Sequence, residues 1–309
     1  MFDFCTLLSG CFNLNFSIER KSGAMTNSNY TLLIGDPSYS SWSLRGWLAF
    51  SLGNIPVNLR ITRFYQPGFA EDLEPFYPAK TVPAVLCSDG SVWTDSLAII
   101  EELATRHPQS GLLPEDPAQR ATARSLMAEM HSGFVALRSE CPMNTRTAYA
   151  EPTVSAAVKE DLARLELLWS HRKGTWLFNT YSAVDAYFAP VAARIAGYSL
   201  PVSEQTQAYV DAHLHSVYFR QFRALGLSFD EQCTYRRDYR EKPWPGPTPL
   251  QARATSRTDS VNKLCPYSGK AVQDFLEFNG KVYGFCNPRC RDKTVFDPEA
   301  WPAFMALTA

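Results

Sequence analysis

Apolar positions along this chain switch between two periods, and the switches mark its elements. Residues 30–35 form a short apolar run that predicts a strand. After a serine-rich turn, residues 46–50 continue at helical spacing and predict a helix packed on that strand. Pro56 breaks the pattern and introduces a second strand within 55–61. Residues 66–78 mix proline, glycine and aromatics and predict an irregular or short helical connection. Pro83 interrupts the run 80–86, which a strand tolerates only at its first position or at an edge. Ser88-Asp89-Gly90-Ser91 predicts a tight hairpin turn, with Val92 and Trp93 on the paired strand. Thr94-Asp95-Ser96 then caps a helix over 97–106. The predicted order is strand, helix, strand, connection, strand, strand, helix.

Prolines and glycine crowd residues 107–117 and predict a linker. Beyond it the period is helical. Residues 118–138 predict one long amphipathic helix, with His131 and, seven residues on, Arg138 sharing a face. A further helix is predicted over 153–172, and Ser182 with Asp185 forms a variant capping box for the next. Helical spacing persists to about residue 225. Residues 231–260 read as a linker, because the Trp244 to Pro249 stretch can be neither helix nor central strand. In 261–309 the period returns to two around Asn279-Gly280, a strong hairpin signal.

At 309 residues the chain exceeds what one core usually serves, so several domains are expected. A net charge of -1 offers no global basic field for nucleic acid. No segment has the roughly 20 apolar residues that span a bilayer, so no membrane partner is expected. Cys5, Cys11, Cys87, Cys141 and Cys233 are scattered without a secretory signal, which points to free thiols and a cytoplasmic location. Leu8-Ser9-Gly10-Cys11 has the look of a lipobox, but no Lys or Arg precedes it and Asp3 interrupts the apolar stretch. Residues 1–29 are therefore read as a disordered leader, with Met25 a plausible start.

Candidate chemistry begins at Ser40-Ser41-Trp42-Ser43-Leu44-Arg45, where the first strand hands over to a helix. Helix N-termini carry unpaired N–H groups and the positive end of the macrodipole, and a hydroxyl there can stabilise a thiolate. A plain serine N-cap is the competing reading. Two later motifs favour chemistry: Val82-Pro83, then Asp95-Ser96-Leu97-Ala98-Ile99-Ile100, each at its own strand or helix junction. Together the three motifs resemble the thioredoxin-like domain of the glutathione S-transferases. The serine motif is most similar to the zeta class, which includes maleylacetoacetate isomerases, although Trp42 stands where that class has cysteine.

The resemblance implies that Ser40, Ser41 and Arg45 are catalytic. It implies a cis Pro83, with Val82 pairing the cysteinyl part of glutathione, and Asp95 and Ser96 holding its γ-glutamyl group. His131 and Arg138 are implied to line the electrophile pocket. The expected activity is glutathione transfer to a small electrophile, or cis–trans isomerisation; a transferase-fold binding or stress-adaptor protein is the non-enzymatic alternative. A homodimer is implied as well. The last block resembles a treble-clef zinc module of the YHS or TRASH type. Cys265, Cys286 and Cys290 would hold one structural zinc, with Ser268 where a second knuckle cysteine would be. The fourth ligand stays open among water, Ser268, Asp292 and Asp297, and a metal-free relic is the alternative. The expected architecture is an α/β thioredoxin-like domain (30–107), an all-α glutathione-transferase domain (114–230), a linker (231–260) and a small treble-clef-like α+β module (261–309).

Overall fold

The computed structural model of the chain describes residues 28–309. The leader reading falls almost wholly on residues outside that range. Its last two residues are tied down: the Ser28 hydroxyl donates to the Pro56 carbonyl, and the Asn29 carbonyl accepts from the Ser88 N–H.

The first domain runs β1 (Tyr30–Ile34), α1 (Ser41–Leu52), β2 (Asn58–Ile61), α2 (Phe69–Leu73), β3 (Ala84–Cys87), β4 (Val92–Thr94) and α3 (Ser96–Arg106). The sheet order is β2-β1-β3-β4, with β1 parallel to β2 and antiparallel to β3. Alternation along the strands gives the sheet two apolar faces. Leu32, Ile34 and Val85 face the helices α1 and α3, while Leu33 and Ala84 pack with Leu73 and Phe76 on the other side. Pro83 lies just outside β3, so no ladder hydrogen bond is lost. The Val82-Pro83 bond is cis, as the family resemblance implies. Helix α1 crosses this proline at Gly46, where a Cβ would meet the Pro83 ring at 3.0 Å. An added methyl would require the ring to give way by a few tenths of an ångström.

The second domain is helical: α4 (Pro117–Ser132), α5 (Val135–Glu140), α6 (Ala156–Trp169), α7 (Ala183–Gly197), α8 (Glu204–His215) and α9 (Val217–Leu227), with the two-residue strand β5 (Ala148–Tyr149) before α6. The single helix expected over 118–138 is two. Phe134 adopts φ 54° and buries its ring, which turns the chain between α4 and α5. Arg138 reaches back from α5 and donates to the His131 and Gly133 carbonyls, satisfying acceptors that the break leaves open. Helix α7 is buried along its whole length and packs on α1, α4 and α8. Its start is capped as expected: the Ser182 N–H and hydroxyl both donate to Asp185 at 3.0 Å. Burial raises the Asp185 pKa above the usual carboxylate value, against the pull of those donors.

The stretch read as a linker is partly structured. Strand β6 (Glu241–Lys242) pairs with β5, and Trp244 lies over Phe219 of α9. Strand β7 (Ala252–Thr255) then pairs with β8 (Asp274–Phe278), which forms the predicted hairpin with β9 (Lys281–Phe285). Asn279 and Gly280 both take positive φ, as a tight hairpin turn demands. Helices α10 (Pro288–Phe296) and α11 (Pro302–Met305) complete a small α+β module, and α10 packs on α9. Among the described residues no helix is long and apolar enough to cross a membrane.

Candidate active site

Ser40 is the N-cap of α1. Its oxygen accepts the Ser43 N–H at 3.2 Å, and its proton is directed to the Ser43 oxygen at 2.7 Å. Ser43 in turn accepts the Gly35 N–H, which fixes it against the end of β1. One lone pair of Ser40 is thus used by the cap, while its proton can be redirected by rotation about one bond. Ser41 faces Met143, at 3.7 Å from the sulfur. The Tyr39 hydroxyl is turned away and accepts the Gln232 N–H.

Ser40 and Ser41 open into a cavity of about 400 Å³. Its walls include Trp42, Met143, Tyr235 and three arginines, Arg45, Arg138 and Arg194, and no carboxylate. Arg45 is fully buried, with its guanidinium 4.6 Å from the Trp42 ring and 4.6 Å from the Tyr187 ring, and its Nε donates to the Tyr187 carbonyl. Arg194 donates to the Cys141 and Pro190 carbonyls. Burial, with smaller like-charge repulsion from Arg194 and Arg138 on Arg45 and from Arg138 on Arg194, lowers the pKa of Arg45 to about 9 and of Arg194 to about 10.

Asp95, Ser96 and His131 are brought together outside the cavity lining. Asp95 caps α3 from a strained φ of 73°, accepting the Leu97 and Ala98 N–H groups. His131 is not among the cavity-lining side chains. Its Nε2 lies 3.4 Å from the Asp95 carboxylate, its Nδ1 is hydrogen bonded to the Tyr187 hydroxyl at 2.9 Å, and its ring is 5.2 Å from Trp42. The same Tyr187 hydroxyl meets the Ser96 hydroxyl at 3.0 Å. Asp95, His131, Tyr187 and Ser96 therefore form one connected polar group. The placement of His131 with Arg138 is corrected accordingly: the helix breaks between them, and of the two only Arg138 lines the cavity.

Sequence reading missed Tyr187, Arg194 and Tyr235. An arginine inside the apolar run of α7 was the one available signal, since a buried cation needs a reason. Tyr187 and Tyr235 carry no local mark.

In the C-terminal module the sulfurs of Cys265, Cys286 and Cys290 lie within 4.8 Å of one another, with Cys286 and Cys290 3.8 Å apart. Zinc–sulfur bonds of about 2.3 Å in a tetrahedron place sulfurs roughly 3.8 Å apart, so the donor set fits that ion. Ser268 is 3.1 Å from the Cys286 sulfur. Asp297 is held instead by both nitrogens of the Arg220 fork, and Asp292 by Arg291. Hydrogen bonds from Cys286 and Cys290 favour the thiolate at Cys265 and lower its pKa, while Cys290 is pushed up in return.

A four-stranded sheet with this order, a cis proline and a helical second domain define the glutathione-transferase type of fold. A sequence model of the glutathione S-transferase N-terminal domain matches residues 39–106. A probable maleylacetoacetate isomerase of Caenorhabditis elegans is 30% identical over 156 residues, covering 49% of this chain and 72% of the worm protein. The chain belongs to the glutathione S-transferase family. Among solved structures, glutathione transferase Omega 3C of Trametes versicolor is 20% identical, with a TM-score of 0.52 over 67% of this chain and 92% of the fungal one. A transferase homologue from Burkholderia GL BGR1, solved with bound glutathione, is 19% identical, with a TM-score of 0.50 over 65% of this chain and 98% of its own. Those two likenesses concern the fold alone.

Proposed function

We propose that this chain is a glutathione-dependent enzyme acting on a small carboxylate-bearing electrophile. The supporting observation is the cavity at Ser40 and Ser41, which three arginines, Arg45, Arg138 and Arg194, line without a carboxylate among the described residues. Mutual repulsion among buried cations is relieved by an anion, and planar forks bind carboxylates in two-point fashion. In this reading Ser40 turns its proton from Ser43 to the glutathione sulfur, Val82 pairs the cysteinyl backbone, and Asp95 and Ser96 hold the γ-glutamyl group. His131 and Tyr187 keep Asp95 and Ser96 in place.

The bound thiolate adds to an electrophilic carbon. If the new carbon–sulfur bond persists and the adjacent carbanion is protonated, the product is a conjugate. If the bond breaks after rotation about the former double bond, the thiolate is regenerated and the product is the geometric isomer. Isomerisation is the second reading, favoured by the arginines together with the maleylacetoacetate isomerases of rat and worm that this chain resembles. Retention on immobilised glutathione is expected. With glutathione present, conjugated cis-alkenoic acids should turn over about tenfold faster than their methyl esters, roughly 1.4 kcal/mol. Equal rates for acid and ester would remove the anionic substrate class, and absence of retention would remove the enzyme reading.

In the tail, the three cysteines are read as ligands of one structural zinc, with Ser268 beside the fourth position. Zinc bound there would tie the Cys265 knuckle to the start of α10. The family resemblance also supports a homodimer.

A further inference from the structure

Helix α9 ends hard against the serine turn: a Cβ on Gly226 would lie 2.6 Å from the Ser38 hydroxyl oxygen and 2.9 Å from the Ser38 nitrogen. The chain then doubles back toward the cavity instead of leaving it. The Gln232 N–H donates to the Tyr39 hydroxyl at 2.9 Å, and its side-chain amide donates to the Phe64 carbonyl at 3.2 Å. Three residues on, Tyr235 lies flat on Tyr39, with centroids 4.4 Å apart and planes 9° from parallel, and lines the cavity that Ser40 and Ser41 open into. The residue beneath Tyr235 is thus the one that precedes the α1 cap. The Asp36 carbonyl receives the N–H of both Tyr39 and Ser40, and its carboxylate accepts from the Gln232 amide at 3.4 Å, so Asp36 and Gln232 tie the covering segment to the turn.

The root of this segment is gripped from two sides. Arg63 donates to the Asp230 carbonyl and pairs with Asp36. From the C-terminal module, Arg289 donates to the Ser228 carbonyl, with its guanidinium 3.4 Å from the Phe229 ring centroid. That ring also meets Arg63 at 5.2 Å, so the two arginines share it. Arg289 is adjacent in sequence to Cys290, in the first turn of α10.

We infer that residues 228–235 are a strap that completes the electrophile cavity, with Tyr235 as its specificity-determining wall and Arg289 as the clamp by which the cysteine module holds it. This rests on the glutathione reading above. The extra module thereby stabilises a wall that the transferase core does not supply. A ring over the serine turn suits a flat, conjugated S-substituent, and the glutathione moiety itself, placed toward Pro83 and Asp95, does not reach it.

The test is calorimetric binding of glutathione and of S-benzylglutathione, neither of which needs turnover. Y235A is expected to weaken S-benzylglutathione about tenfold while glutathione stays within about twofold, and Y235F to keep both affinities. R289A should weaken S-benzylglutathione in the same direction and raise amide hydrogen exchange across 228–235. Unchanged S-benzylglutathione binding in Y235A, or equal loss of both ligands, overturns the inference. If the wild-type chain binds neither ligand, the glutathione reading itself fails. Unaltered exchange at 228–235 in R289A then overturns the clamp as well.

Discussion

A hydroxyl that caps a helix and a hydroxyl that stabilises a thiolate are the same atom at Ser40, used through different orbitals. The oxygen accepts from Ser43 N–H while the proton remains available, directed at present to the Ser43 oxygen. S40A should therefore raise the bound thiol's pKa and lower kcat roughly thirtyfold, about 2 kcal/mol, with glutathione affinity nearly unchanged. Thiolate absorbance against pH and steady-state kinetics read the two effects; a fully active variant would move the role to Ser41. Asp95 gives the opposite pattern. Its carboxylate holds two N–H groups of α3 and lies near His131, away from the cavity. D95A is expected to raise the glutathione KM and spare kcat. A kcat loss at constant KM would put Asp95 in the chemistry. The three motifs were legible because each sits at an element junction, where local pattern and function coincide. The partnership of Asp95 with His131 was not, because it depends on where α4 ends.

At the scale of elements, helix α7 and what surrounds it explain the stability of the second domain. His213 of α8 is fully buried among Trp176, Tyr181 and Tyr209. Burial, with a smaller contribution from Arg172, lowers its pKa to about 3. The unfolded chain binds this proton near pH 6.5 and the folded chain does not, so stability falls as pH drops from about 6.5 toward 3. Between pH 7 and 5 the loss is roughly 2 kcal/mol from this group. Urea midpoints at pH 7 and pH 5 should shift less in H213L than in the wild type. Equal shifts would show that carboxylates, not His213, govern acid sensitivity. Helix existence here was readable from period. The interruption after Ser132 was not, because Gly133 and Phe134 sit within an otherwise helical pattern and the burial of Phe134 decides it.

Across the whole molecule, the added module is joined to the transferase core by polar contacts as well as packing. Arg220 of α9 grips Asp297 with both nitrogens, and the Gln221 amide donates to the Ala300 carbonyl. Native mass spectrometry at micromolar concentration is expected to give a dimer carrying one zinc per chain, and C286S should lose the metal with selective loosening of residues 261–309. Metal-free protein with an equally protected tail would make the cysteine cluster a relic, and a monomer mass would remove the dimer. The cluster was legible because Cys286 and Cys290 are one helical turn apart and the Asn279-Gly280 hairpin returns the chain toward them. Which oxygen stands beside the sulfurs was open until the fold placed Asp297 on Arg220.

The sequence by itself determined the order of elements in the first domain, the capping of α1, α3 and α7 and the terminal hairpin. Each is written in residues close together, where backbone propensity and period are enough. Tertiary structure alone decided that His131 meets Asp95 and Tyr187, that Arg194 and Arg45 line one cavity, and that Tyr235 covers the serine turn. These pairings join residues far apart in the chain; Tyr39 lies in the first domain, for example, and Tyr235 in the segment that follows the helical domain. No local pattern encodes such contacts, because they follow from the packing of whole helices against a sheet rather than from the preferences of the residues that meet.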